Sequence, residues 1–288
     1  MRCPLIQVDV FGCRPFGGNP VAVIFVADPQ ALDAVAMQRI AHWTNLSETT
    51  FVLPPSAPGA SYRLRIFTPR QELPFAGHPS IGSAHAVLES GWAQTNADGR
   101  LLQECAAGLL PLRVEGEGES RRLFVRLPAP EQAPLSAEAQ ATLERALDAP
   151  ITAAAAVNVG PVWIVAGLAN GAAVRALQPD LSALAQLSLA TGAVGISVYG
   201  LDETGEADLV VRSFVPADGI PEDPVCGSGN GAIGAYLQAR DSLPGRRYVT
   251  SQGRECGHDG RVEVELDADD RLWIGGQART CIRGEIEL

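Results

Sequence analysis

The residues with the most chemical potential fall in three short stretches. Glu48 lies in Asn45-Leu46-Ser47-Glu48-Thr49, Gly77 and His78 in Pro74-Phe75-Ala76-Gly77-His78-Pro79, and Asp223, Cys226, Gly227 and Ser228 in Glu222-Asp223-Pro224-Val225-Cys226-Gly227-Ser228. A carboxylate where a helix gives way to a strand, among apolar residues, can be partly desolvated and drawn toward the range a general acid/base needs; a solvated turn carboxylate is the plainer reading of Glu48. A glycine turn running into a helix presents unpaired N–H groups and the positive end of the helix dipole, an anion site suited to a carboxylate. Either turn alone is explained as well by close helix packing. The pair in register favours a site for one small acid. Asp223 can accept from a substrate amine or cap the turn that follows it. His78, at a helix N-terminus, is expected to stay neutral, though a structural histidine is the usual case, and His85 reads as structural. Cys226, also at a helix start, is a candidate base or nucleophile, though a buried wall is the simpler role.

These residues belong to a repeat. Phe67-Thr68-Pro69 matches Phe214-Val215-Pro216, an offset of 214 − 67 = 147, and Pro74-Phe75-Ala76-Gly77 matches Pro224-Val225-Cys226-Gly227, an offset of 224 − 74 = 150. Each turn leads into a helix of small residues, Ser80–Leu88 and Gly231–Leu237. A unit of roughly 140–150 residues is too long for a solenoid and implies two similar halves with a cleft between them. The expected division is 1–127, completed by a C-terminal strand at about 277–288, and 128–276. At these offsets Glu48 corresponds to Gly195 and Ala76 to Cys226, so the halves are armed differently, as directional proton transfer requires.

The elements around the motifs read as follows. Val8–Phe11 is a strand, Pro15–Pro20 a turn-rich loop, and Val21–Val26 a second strand. Asp28-Pro29 starts a helix carrying Leu32, Val35, Ala36 and Ile40, and Thr49–Leu53 is the next strand. In the second half Val162–Val165 is a strand, Pro179 opens a helix with Leu181, Leu184, Ala185 and Leu187, and Ile196–Tyr199 follows.

Bulk properties bound the function. With 46% hydrophobic and 19% charged residues the 288-residue chain is globular, and its 30 glycines and 21 prolines suit many short elements. A net charge of −11 argues against nucleic acid and anionic membranes as partners. Met1-Arg2-Cys3-Pro4 lacks an export signal, and the six cysteines show no metal-binding spacing, so a cytoplasmic protein with reduced thiols and no metal is expected. The charge-free stretch from Ala149 to Val174 is long enough to cross a bilayer. Its prolines, glycines and asparagines make it a buried strand between turns instead.

The motifs Val8-Asp9-Val10-Phe11, Arg14-Pro15-Phe16-Gly17-Gly18-Asn19-Pro20, Asn45–Thr49, Phe75–Pro79, Pro221–Pro224 and Gly227-Ser228, with Gly253 and Gly275-Gly276, resemble those of the PhzF-like phenazine-biosynthesis family over nearly the whole chain. The resemblance implies an α+β, diaminopimelate-epimerase-like fold of two pseudo-symmetric halves, each a β-barrel-like sheet wrapped around a central helix. It also implies a homodimer and an isomerase without metal or organic cofactor, acting on a small amino- or hydroxy-acid. It places the general acid/base on Glu48, substrate contacts on Gly77 and His78, and further site roles on Asp223 and Ser228. Cys226 stands where the family often has Thr and where related two-thiol epimerases have Cys. Those epimerases have a second Cys where this chain has Ala76. The alternatives are a racemase or epimerase using Cys226, and a non-catalytic protein that binds small acids.

Overall fold

A computed structural model describes residues 1–288 apart from the side chain of Glu119. The chain divides into two compact units, Met1–Arg126 with Gly275–Leu288, and Leu127–Ile274.

The first unit contains β1 (Arg2–Val10), β2 (Asn19–Phe25), α1 (Ala34–Thr44), β3 (Glu48–Leu53), β4 (Tyr62–Phe67), β5 (Glu72–Leu73), α2 (Gly77–Ser90), β6 (Arg100–Cys105), β7 (Gly108–Glu115) and β8 (Arg122–Arg126). β1 pairs antiparallel with β2 and with the C-terminal strand, Leu272–Glu287. β2 runs parallel to β3, β4 parallel to β6, and the remaining neighbours are antiparallel as far as β8. β8 returns to the C-terminal strand and closes the ring. Closure leaves no exposed strand edge around the circuit.

Helix α2 occupies the interior: every residue from Gly77 to Val87 is buried. Ser80, Ser83, Ala84 and Ala86 leave room for the surrounding Val, Ile and Leu side chains, a size exchange that keeps packing dense. Its buried hydroxyls are satisfied. Ser83 bonds Thr50 at 2.8 Å, and Ser80 accepts from Gln103, which itself accepts from Tyr62. On the outside, α1 lays Met37 and Ala41 over Ile24, Phe51 and Phe67.

The second unit repeats this plan with β9 (Glu131–Pro134), α3 (Ala137–Leu147), β10 (Ala153–Asn158), β11 (Val162–Gly167), α4 (Gly171–Ala176), α5 (Leu181–Thr191), β12 (Gly195–Leu201), β13 (Leu209–Val215), β14 (Ile220–Asp223), α6 (Gly227–Gln238), β15 (Arg247–Gln252) and β16 (Gly260–Leu266). Its parallel pairs, β11 with β12 and β13 with β15, match those of the first unit. α6 is the interior helix, buried from Gly229 to Leu237. The fold is α+β, two halves each with a sheet wrapped around a central helix.

Two expectations need correction. The first helix starts at Ala34, where Asp33 accepts from the Ala36 amide at 2.7 Å; Asp28-Pro29 instead forms a preceding turn, with Asp28 accepting from Gln30. Both aspartates carry a capping signal, and only Asp33 is followed directly by the packed helical face. The charge-free stretch holds two antiparallel strands, β10 and β11, and the short helix α4, rather than one strand between turns. The alanine run Ala153–Ala156 has weak strand preference, and pairing with β9 and β11 overrides it. Among the described residues no helix is long and apolar enough to cross a membrane.

Candidate active site

In the first unit the site residues are set up by Asp9, at the end of β1 and 4% exposed. Its carboxylate accepts from the amides of Gly17 (3.2 Å) and Gly18 (2.9 Å). This bends Pro15–Gly18 tightly against the strand. A Cβ on Gly18 would stand 2.1 Å from the Val10 carbonyl oxygen, so only glycine fits. The loop delivers Asn19 and Pro20 to the head of β2. Ser47 reaches Asn19 at 3.4 Å, and Glu48 opens β3 opposite Val21. Upstream, Asn45 ends α1 in the left-handed conformation (φ 53°), its amide bonding the Ala41 carbonyl. That stop fixes where β3, and so Glu48, begins.

Helix α2 starts from Ala76 without a side-chain cap. The amides of Gly77 and His78 have no partner along the helix, and Pro79 has none to lose. His78 Nε2 lies 3.3 Å from Glu48 Oε2, with the two side chains 6% and 14% exposed. Burial drives His78 down to about 3, only partly offset by its hydrogen bond to the Pro20 carbonyl. The imidazole is therefore neutral at physiological pH. The sequence reading anticipated neutrality from the helix end; burial is the larger cause. This pair is a carboxyl group beside a neutral ring. His85 is buried and bonds Thr280 at 3.2 Å, on the part of the C-terminal strand that belongs to this unit.

In the second unit the turn from Asp223 to Cys226 is held by side chains the sequence reading did not single out. Gln252 donates to the Asp223 carbonyl (2.9 Å) and accepts from the Cys226 amide (3.2 Å) and from Asn230 (2.8 Å). Asn230 also donates to the Cys226 carbonyl and accepts from Thr250. The first unit has a counterpart in Gln103 and Ser80. Ser80 and Asn230 are both polar residues in the first turn of an interior helix, related by the 150 offset (230 − 80). That pattern was the available signal.

Asp223 Oδ1 accepts from the Val225 amide at 3.2 Å, so the capping role is realised. Burial pushes Asp223 up to about 6, against the lowering effect of hydrogen bonds from the Cys226 thiol and the Val225 amide. Burial, followed by the neighbouring Asp223 charge, raises Cys226 well above the usual thiol range. Its sulfur caps α6, accepting from the Gly229 amide at 3.3 Å. Cys226 is thus a protonated, buried thiol. Ser228 Oγ accepts from Trp163 Nε1 at 3.1 Å. The structure brings together Glu48, Gly77 and His78 in the first unit, and Asp223, Cys226, Gly227 and Ser228 in the second.

The two units differ at one corner. Gly195 opens β12 opposite Trp163, as Glu48 opens β3 opposite Val21. A Cβ on Gly195 would lie 2.3 Å from the Phe214 carbonyl oxygen and 2.9 Å from the Trp163 ring. The second unit has no room for a counterpart of Glu48.

Comparison with known proteins agrees with this architecture. The family model described as phenazine biosynthesis-like protein matches residues 8–284. A Schizosaccharomyces pombe protein named antisense-enhancing sequence 1 is 41% identical, with 97% of each chain covered. The trans-2,3-dihydro-3-hydroxyanthranilate isomerase of Pseudomonas aeruginosa is 35% identical over 91% of this chain and 90% of its own. A crystal structure of a PhzF-family phenazine biosynthesis protein from Enterococcus faecalis superposes with a TM-score of 0.78 at 31% identity, covering all of both chains. With both interior helices, their glycine turns and the Glu48–His78 pair in place, the chain belongs to the phenazine biosynthesis-like (PhzC–PhzF) family, a family of isomerases.

Proposed function

We propose that the chain shifts a proton between two carbons of a small amino- or hydroxy-acid, with Glu48 as its single general acid/base and no cofactor. The observation that carries this is the 3.3 Å approach of Glu48 Oε2 to the neutral Nε2 of buried His78. A ring nitrogen that is not protonated can accept a hydrogen bond from the carboxylic acid formed after proton abstraction. It steadies that state, whereas a charged imidazolium would favour the carboxylate and weaken it as a base. Glu48 then returns the proton to another carbon on the same face. Asp223 and Ser228 are assigned to the amine and carboxylate of the substrate, with the Gly77 and Gly227 amides as further donors to the acid group. The Pseudomonas relative's named substrate, trans-2,3-dihydro-3-hydroxyanthranilate, is the first compound to try.

Two features weigh against a two-thiol epimerase. The Cys226 thiol is held protonated, and Ala76 offers no second one. Glu48→Gln, assayed with trans-2,3-dihydro-3-hydroxyanthranilate in deuterated water, should lower kcat by at least ~10³ while leaving substrate affinity within a few-fold. Full activity in that variant sinks the assignment. Undiminished turnover in Cys226→Ser is expected alongside it.

A further inference from the structure

The corner where the two units differ is filled by Trp163, and that side chain has a second connection. It is 3% exposed, and its ring edge lies 2.9 Å from the point where a Cβ at Gly195 would begin. In the first unit the same paired positions hold Val21 and Glu48. Large and small have exchanged places: a small strand residue beside a carboxylate in one unit, an indole beside a glycine in the other. The indole N–H donates to Ser228 Oγ at 3.1 Å. A hydroxyl oxygen that accepts in this way has its own proton left to give. Within the turn that proton faces Cys226 Sγ at 3.6 Å, a weak acceptor, already taking the Gly229 N–H while its own proton goes to Asp223. Ser228 is partly exposed at the first turn of α6, beside amides that have no helical partner.

We propose that Trp163 is a positioning residue: it occupies the place of a second base and fixes the Ser228 hydroxyl as a donor, so that this turn selects an acceptor oxygen of the ligand, a carboxylate over a neutral amide. The proposal rests on the acid-substrate reading above and goes beyond it by naming the residue that sets the polarity of the contact.

The test separates the two. The indole ¹⁵N–¹H resonance of Trp163, one of four tryptophans and identified by its loss in Trp163→Phe, is recorded in the intact protein. In Ser228→Ala it should move upfield and exchange faster with solvent; an unmoved resonance overturns the hydrogen bond and the proposal with it, whatever the enzyme's activity. Anthranilate and anthranilamide, which share the aminobenzoyl skeleton, then serve as binding probes. The parent protein should prefer anthranilate, and Trp163→Phe, which keeps an aromatic side chain and loses the N–H, should reduce that preference about fivefold, the effect of one hydrogen bond. Equal affinity for both probes in the parent, absence of binding, or an unchanged ratio in Trp163→Phe overturns the role. A variant that loses the preference while its thermal midpoint stays within a few degrees separates positioning from simple loss of structure.

Discussion

Replacing Asp223 by asparagine offers a test whose sign and size both follow from the structure. Burial raises the folded-state value to about 6 from an ordinary 3.8. A group whose pKa is higher folded than unfolded binds its proton more tightly in the fold. Its stabilisation is complete below pH 3.8 and is lost as the pH rises through 6. At 1.36 kcal/mol per pH unit the full difference is about 3 kcal/mol, and partial solvent access trims it to about 1–3. Asparagine keeps the acceptor for the Val225 amide and cannot ionise. Asp223→Asn should therefore be the more stable protein at pH 8, with its advantage shrinking by about 1–2 kcal/mol on going to pH 5. Urea unfolding followed by circular dichroism at pH 5, 6, 7 and 8 measures this directly. An advantage that stays constant, or grows toward acid, refutes the claim that burial dominates at Asp223. Activity should fall in the same variant, so stability and turnover move in opposite directions at pH 8, as expected where a buried ionisable group is kept at a cost in stability.

Three further outcomes follow from contacts already described or adjacent to them. Gly195→Ala places a methyl group against the Phe214 carbonyl and should destabilise the protein by about 2–3 kcal/mol; a thermal midpoint within a degree of the parent contradicts the packing. Arg212, 5% exposed, forks onto Glu222 at 2.9 and 2.7 Å and donates to the Leu177 carbonyl at 2.7 Å. Arg212→Met should cost about 3–5 kcal/mol by stranding the Glu222 carboxylate, and Arg212→Met with Glu222→Gln should recover part of that loss in denaturant titrations. Thr50→Val breaks the 2.8 Å bond to Ser83 beside the interior helix and should cost about 1–2 kcal/mol, read from the same titrations.

The sequence showed the repeat, the two glycine turns and the separate short motifs that carry Glu48 and His78, because each is a recognisable run of residue types. It also showed the asymmetry between Glu48 and Gly195, through an offset measured at landmarks further along the chain. What it hid depends on contacts distant in sequence. Gln252 orders the Asp223–Cys226 turn from 26 residues beyond Cys226, and apart from the neighbouring Gly253 nothing around it distinguishes it from a surface glutamine. Trp163 reads as one more apolar strand residue until Ser228 is beside it. Helix α3, capped by Ser136 and buried along Leu143, Ala146 and Leu147, carries no landmark of the repeat to mark it in the sequence. The neutrality of His78 was anticipated for a secondary reason; its burial inside a ring of strands is invisible to motif spacing.

The C-terminal strand has a consequence for how the protein comes into being. The circuit carrying Glu48 and His78 is shut by residues 275–288, which emerge only after the whole second unit has been synthesised. Until then β1, which buries Cys3, Ile6, Val8 and Val10, and β8 each lack one neighbour, and unpaired apolar edges of this kind invite mispairing. The second unit draws its strands β9 to β16 from one continuous run of chain and meets no such wait. Glu48 and His78 thus stay unenclosed until residues 275–288 have followed the second unit, and that segment is the seam of the first unit's circuit.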